Sequence, residues 1–175
     1  MATISGKLLF LIASLRFCNF ATAQDYIDVQ LPGKSVWLQY PATITLIEIR
    51  ELLGLRWIAE DDPSIEFGFG YIPEEEVDIM FRMLNENVGK NERFIIEPRE
   101  TNISSFDATE SKVIIPESAG REDSDEIFDT LIHTFVIEID KAYYMCSMYD
   151  TSRDHQERYT EIFLRLCNSI KTEQP

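Results

Sequence analysis

The chain has 175 residues, 45% hydrophobic and 27% charged, which is enough for one domain with a substantial core. With 31 acidic against 16 basic side chains the formal charge is −15, which argues against nucleic acid or an anionic membrane surface as partner, because both would repel it. The charge favours a basic protein or a cationic ligand, or else only keeps the protein soluble.

Residues 1–23 read as a signal peptide. Met1 to Lys7 is short and weakly positive, Leu8 to Leu15 is apolar but too short to span a bilayer, and Ala21-Thr22-Ala23 offers small residues to a signal peptidase. The expected mature chain is a single domain, 24–175, exported most naturally to a bacterial periplasm, with the extracellular space as alternative. Arg16 interrupts the apolar run. Leu15-Arg16-Phe17-Cys18 matches a lipoprotein signal in Leu and Cys only, since Phe17 is too large for its position. The competing reading is a buried N-terminal helix. Loss of residues 1–23 removes Lys7 and Arg16 and no acid, taking the charge to −17.

Cys146 and Cys167 remain in the mature region. In an oxidising compartment the pair suggests a disulfide closing a loop of about 20 residues, worth roughly 3 kcal/mol in the chain-entropy model. Both also fall on apolar faces that suit free thiols, so the two states stay open.

Tyr26 to Leu31 alternates into Pro32-Gly33, a strand and turn, and Ser35 to Tyr40 makes a second strand stopped by Pro41. Thr45 to Glu48 has capping-box spacing with Gly54 beyond, so a short helix or an irregular strand is expected. Arg56–Ala59 and Ile65–Ile72 are strands around the acidic turn Glu60-Asp61-Asp62-Pro63. In the second, Gly68 and Gly70 share the face opposite Phe67 and Phe69, which invites a bulge or a close-packed neighbour. Pro73 followed by Glu74-Glu75-Glu76 opens a helix running to Gly89. Phe94–Glu97, Ser104–Ala108 and Lys112–Pro116 read as strands, and 117–125 as an acidic loop. Leu131, His133, Phe135, Ile137 and Ile139 line one face of a long strand. A two-residue turn at Asp140-Lys141 returns the chain through Ala142–Tyr149, and both faces are apolar enough to predict a sheet covered on both sides. Thr151 or Ser152 is the expected cap of a last helix with Tyr159, Ile162, Phe163, Leu166, Cys167 and Ile170 on one stripe. The fold class is α+β, an antiparallel sheet covered by helices.

This arrangement resembles the PsbP-like fold of extrinsic photosystem subunits, Mog-type Ran-binding proteins and bacterial domains. The resemblance lies in the Val36–Pro41 strand, the Ile65–Ile72 strand with the Pro73–Gly89 helix, the Phe135–Tyr149 hairpin and a helix closing on Cys167-Asn168-Ser169-Ile170. It implies a PsbP-like sandwich over 24–171 and a non-enzymatic binding, assembly or adaptor role. No photosystem-binding segment is present, export conflicts with a nuclear Ran partner, and no functional residue carries over.

Candidate chemistry is sparse. His133 sits mid-strand on an apolar face, where a core histidine bonded to backbone or Tyr is expected, and His155 falls in the first turn of the last helix. A zinc site wants three or four His/Cys ligands at short spacing, and none is present. Ser147 and His133 occupy neighbouring strands without a nucleophile elbow or oxyanion-hole glycines. Glu122, Asp123, Asp125, Glu126 and Asp129 lack the spacing of an EF-hand, so a solvated acidic loop is the expectation. Phe67-Gly-Phe-Gly70 is no phosphate cradle, because the next helix opens with three acids. Asn102-Ile-Ser104 is a glycosylation acceptor only in a eukaryotic source.

The function expected from the sequence is that of an exported, non-catalytic acidic binding protein without metal or cofactor. An immunity-type inhibitor or envelope accessory protein fits, gripping a basic protein through Glu60, Asp61 and Asp62 or through Glu122, Asp123, Asp125 and Glu126. A carrier of an apolar ligand in a cleft lined by Phe67, Phe69, Phe81 and Tyr144 is the second reading, although core packing also accounts for those aromatics. An unrecognised hydrolase using acidic residues is the third.

Overall fold

The computed structural model describes residues 26–42, 54–85, 93–116, 129–152 and 154–172, and the backbone of 44–49. The expected signal peptide, the end of the first helix and the acidic loop with Glu122, Asp123, Asp125 and Glu126 lie outside the described residues. In chain order the elements are β1 (Tyr26–Gln30), β2 (Trp37–Pro41), β3 (Ile44–Ile49), β4 (Gly54–Ala59), β5 (Asp62–Ile72), α1 (Glu74–Asn85), β6 (Arg93–Ile103), β7 (Phe106–Ile115), β8 (Thr130–Ile139), β9 (Ala142–Asp150) and α2 (Glu157–Asn168). The fold is α+β. A seven-stranded antiparallel sheet runs β3-β4-β5-β9-β8-β7-β6, and β1–β2 forms a separate hairpin.

Period-two patterning fixes which face each strand buries. Phe67 and Phe69 of β5, Phe135, Ile137 and Ile139 of β8, and Tyr144, Cys146 and Met148 of β9 share one face with the main core. The layer above them is α2 together with the β1–β2 hairpin, whose Tyr40 ring lies 5.5 Å from buried Trp57 of β4. The hairpin is fastened to the last residues of the chain: Trp37 and Lys171 exchange backbone hydrogen bonds at 2.8 and 2.9 Å, and Ser169 Oγ accepts the Gln39 N–H at 2.7 Å. Cys146 at the middle of β9 is disulfide-bonded to Cys167 of α2, with Cα atoms 6.2 Å apart.

The β8–β9 turn is formed by Asp140 and Lys141 with φ of 51° and 65°. Both left-handed residues match the hairpin turn that follows strand twist.

One open alternative is decided for the strand, and two local expectations, the cap of α2 and the place of His155 in its first turn, are corrected. Thr45–Glu48 belongs to β3, paired from Ile44↔Ala59 to Ile49↔Gly54, because a ladder partner outweighs a weak capping signal in a β-tolerant run. Gly54 therefore opens β4. Neither Thr151 nor Ser152 caps α2, which begins at Glu157 with Gln156 at the N-cap position. Thr151 instead donates its backbone N–H and its hydroxyl to the Ser64 carbonyl, both at 3.1 Å, and the Ser152 N–H binds Asp150 Oδ1 at 2.8 Å. The Thr151 bonds extend the β5–β9 seam, and the Ser152 bond closes a local turn on the end of β9. His155 accordingly precedes the helix, in a left-handed turn with φ of 40°.

Among the described residues the opposite face is covered unevenly. There α1 packs Val77, Met80, Phe81 and Leu84 onto Ile72, Val136, Tyr143 and Met145, forming a small second core. Among the described residues no second helix lies over β4 and β5 on that face.

Candidate functional site

That uneven cover leaves a groove. Register places Gly54 opposite Gly70, Arg56 opposite Gly68, Gly68 opposite Ser147 and Gly70 opposite Met145. Three glycines on adjacent strands thin the side-chain cover between the Arg56–Glu66 pair and α1, and beside them lies a hollow of about 490 Å3, with Gly54 itself buried. Ile72, Met80, Met145, Ser147 and Tyr149 line it, together with Arg56 and Glu66 on the sheet beside Gly68 and Glu76 on α1. Arg56 and Glu66 are ion-paired across β4 and β5. The closeness of the floor is tight at Gly68, where a Cβ would come within 3.0 Å of Ser147 Oγ.

The apolar surface does not end at the groove wall. At about 100° per residue, Met83 and Ile79 follow Met80 round the helix on the side away from Phe81. They are 56% and 46% exposed, among the largest apolar exposures of the described residues. Phe81 faces the other way, edge-on to Tyr143 at 5.7 Å.

The aromatics expected to share a cleft do not share one. Phe67, Phe69 and Tyr144 are buried in the main core, with Phe69 stacked on Tyr144 at 5.9 Å, while Phe81 lies on the opposite face of the sheet. Alternation of strand faces separates them.

The acidic turn has structural work. Glu60 is exposed, but Asp61 accepts a hydrogen bond from the Tyr159 hydroxyl at 3.1 Å and pairs with Arg158 at 3.0 Å, which ties the β4–β5 turn to the start of α2. Burial, reinforced by the hydrogen bond to Asp61, pushes the Tyr159 hydroxyl up to about 12. The Asp62 carboxylate accepts the Ser64 N–H at 3.2 Å, an Asx-type turn at the strand start.

His133 also departs from expectation. Its partner is a carboxylate, not backbone or tyrosine. Glu110 Oε1 lies 2.9 Å from Nε2, and Arg99 caps the other carboxylate oxygen through Nε at 2.9 Å and Nη2 at 2.6 Å. Side-chain exposure falls from 62% at Arg99 to 8% at Glu110 and 3% at His133, so the array runs from solvent into the core. Burial alone would raise the Glu110 carboxyl, but hydrogen bonds from His133 and Arg99 hold it below the usual carboxylate range. Burial lowers the His133 imidazole, assisted by the Lys112 charge and opposed by Glu110. The neutral ring therefore donates Nε2–H to Glu110. It packs between Phe135 and Phe163, at 5.1 and 5.0 Å. Ser147 pairs with Thr134 while His133 pairs with Met148, so Ser147 and His133 point to opposite faces and form no dyad. Sequence reading missed Glu110 and Arg99 because their strand pairing, three strands deep, is not written in local spacing. Among the described residues no group of three or more His, Cys, Asp or Glu side chains is placed to hold a metal ion. No described helix is long and apolar enough to cross a membrane.

A disulfide-pinned α+β sandwich with a half-open groove beside one helix is thus the class of protein defined by fold and site. No protein-family model matches the chain, and no curated protein matches it in sequence. Solved structures do match. The Saccharomyces cerevisiae Ran-binding protein Mog1p superposes with TM-score 0.54 at 7% identity, over 86% of this chain and 96% of that one. Cyanobacterial PsbP from Synechocystis gives 0.53 at 8% identity, over 90% and 98%. LpqN of Mycobacterium tuberculosis, described as involved in cell envelope biogenesis, gives 0.51 at 12% identity, over 84% and 90%. A Bacteroides thetaiotaomicron structure gives 0.52 at 10% identity, and there the match takes in 79% of this chain but only 45% of that one. The chain has the PsbP/Mog1-type fold.

Proposed function

We propose that this chain is an exported, non-catalytic binding protein of accessory or inhibitor type whose partner is a protein. The observation that carries this reading is the half-open groove over Gly54, Gly68 and Gly70, whose apolar surface continues onto exposed Met83 and Ile79. Exposed contiguous apolar surface of this kind marks interaction sites. A net charge of −15 favours a basic partner. The sharing of its fold by a Ran-binding protein and by a protein of envelope biogenesis supports a binding or accessory role. The signal-like N-terminus and the Cys146–Cys167 bond support export, because such bonds persist in oxidising compartments. The groove is the contact surface of this reading; Asp61 and Asp62 of the acidic turn also make contacts within the fold, and Glu60 is exposed.

The test is cross-linking of the tagged full chain in its source cells, followed by mass spectrometry, with cell fractionation alongside. A stoichiometric protein partner cross-linked at α1 or β5 in an extracytoplasmic fraction is the expected result. A chain that stays cytosolic with Met1 intact overturns export. A chain that returns only a retained small molecule overturns the protein partner and favours the carrier reading, for which a volume of about 490 Å3 is within the usual range of ligand pockets.

A further inference from the structure

We infer that the groove beside α1 receives one amphipathic helix of a basic partner, laid alongside α1 with its apolar face on the glycine floor. The inference rests on the binding reading above and names the segment the site takes.

Width is the first argument. From β9, where α1 is seated, to β4 is two strand spacings, about 10 Å in all, which equals the interaxial distance of packed helices. Gly54, Gly68 and Gly70 remove side chains from the part of the sheet nearest α1, and the Arg56–Glu66 pair on the same face bounds that part on the side of Gly68. Continuity is the second. A small ligand in the hollow would leave Met83 in water at 56% exposure, whereas a helix beside α1 covers it and reaches the near edge of Ile79, which is 46% exposed. Methionines at positions 80, 83 and 145 supply the adaptable contact that helix-binding grooves use. Charge is the third. Arg56 is already neutralised by Glu66, leaving Glu76 as the net charge on the rim, on a chain of net charge −15. A helix with Lys or Arg flanking its apolar stripe satisfies that rim, and an acidic one is repelled.

The probe is a synthetic amphipathic peptide of Leu and Lys, of 12 residues to match α1 in length. Its partner control has Glu in place of every Lys. Binding to the full chain is followed by fluorescence anisotropy, and the bound site by amide chemical-shift changes. The Leu/Lys peptide should bind with shifts confined to α1, β4 and β5, more weakly at high salt, and the Leu/Glu peptide should not. Ile79→Gln with Met83→Gln, both on exposed positions, should weaken binding about 10-fold, the effect of roughly 1.4 kcal/mol of lost apolar contact. Glu76→Gln should weaken it about 2-fold to 3-fold. Equal binding by the Ile79→Gln/Met83→Gln protein, shifts on another face, or no binding would overturn the inference. So would a dimer of this chain that the same double substitution dissolves, or a small molecule filling the groove. If these fail while cross-linking in cells still returns a partner at α1, the helix is wrong and the binding function stands.

Discussion

Reduction of the Cys146–Cys167 bond offers the sharpest test of how the two layers are held together. The bond joins the middle of β9 to the third turn of α2 across 21 positions of sequence. Closing a loop of that size lowers the entropy of the unfolded chain by about 11 cal/mol/K, or about 3 kcal/mol at 25 °C. Both sulfurs lie in the core with no exposure, so the folded chain keeps nearly the same contacts after reduction and the loss is felt mainly in the unfolded state. For a domain of this size about 3 kcal/mol corresponds to a fall in Tm of roughly 6–12 °C. The assay is thermal unfolding followed by circular dichroism with and without a phosphine reductant, with thiol titration to show that the bond has opened. Cys146→Ala/Cys167→Ala should be less stable than the reduced protein, because two buried sulfurs are then missing as well. Coincident melting curves for oxidised and fully reduced chain would refute the reasoning.

Acid should destabilise the fold through the Arg99–Glu110–His133 array. His133 is held below 6.5, so its contribution is complete above that pH and is lost as the unfolded chain takes up the proton first. Glu110 is held below 4.5, and its contribution is lost on further acidification through that value. Urea titrations between pH 7 and pH 4 should show this fall, and His133→Phe should flatten its upper part; an unchanged slope in that variant would disprove the assignment. Glu110→Gln should cost about 1–3 kcal/mol, since it weakens a buried charge-assisted bond, and a cost within error of zero would contradict it. Gly68→Ala should destabilise by about 1 kcal/mol because the new Cβ meets Ser147 Oγ at 3.0 Å, and Ser147→Ala in the same chain should restore most of that loss in a double-mutant cycle. Strictly additive effects would show that the two positions do not touch.

Much of the fold was legible because strand faces alternate with strict period two. Leu131 to Ile139 and Ala142 to Met148 could be assigned to faces residue by residue, and the register of β8 with β9 keeps those assignments. The turn at Asp140-Lys141 could be read because only two residues separate the runs. Thr45–Glu48 was not decidable, since a capping-box pattern and a β-tolerant run coincide there and only the pairing with β4 separates them. Thr151 misled for a related reason: a hydroxyl residue that can cap a helix serves equally well to close a strand seam.

The candidate site was half visible. Gly68 and Gly70 on one face announced a bare patch of sheet, but not whether a neighbour fills it. Alternation and composition by themselves determined the fold class, the acidic character and the core membership of β5, β8 and β9, because those depend on intervals of two or four residues along one chain. Tertiary structure alone decided that Gly54 completes the glycine floor, that Glu110 rather than a tyrosine meets His133, and that Phe81 lies across the sheet from Phe67. Each of those depends on which strands become neighbours, and non-local pairing leaves no mark in local spacing.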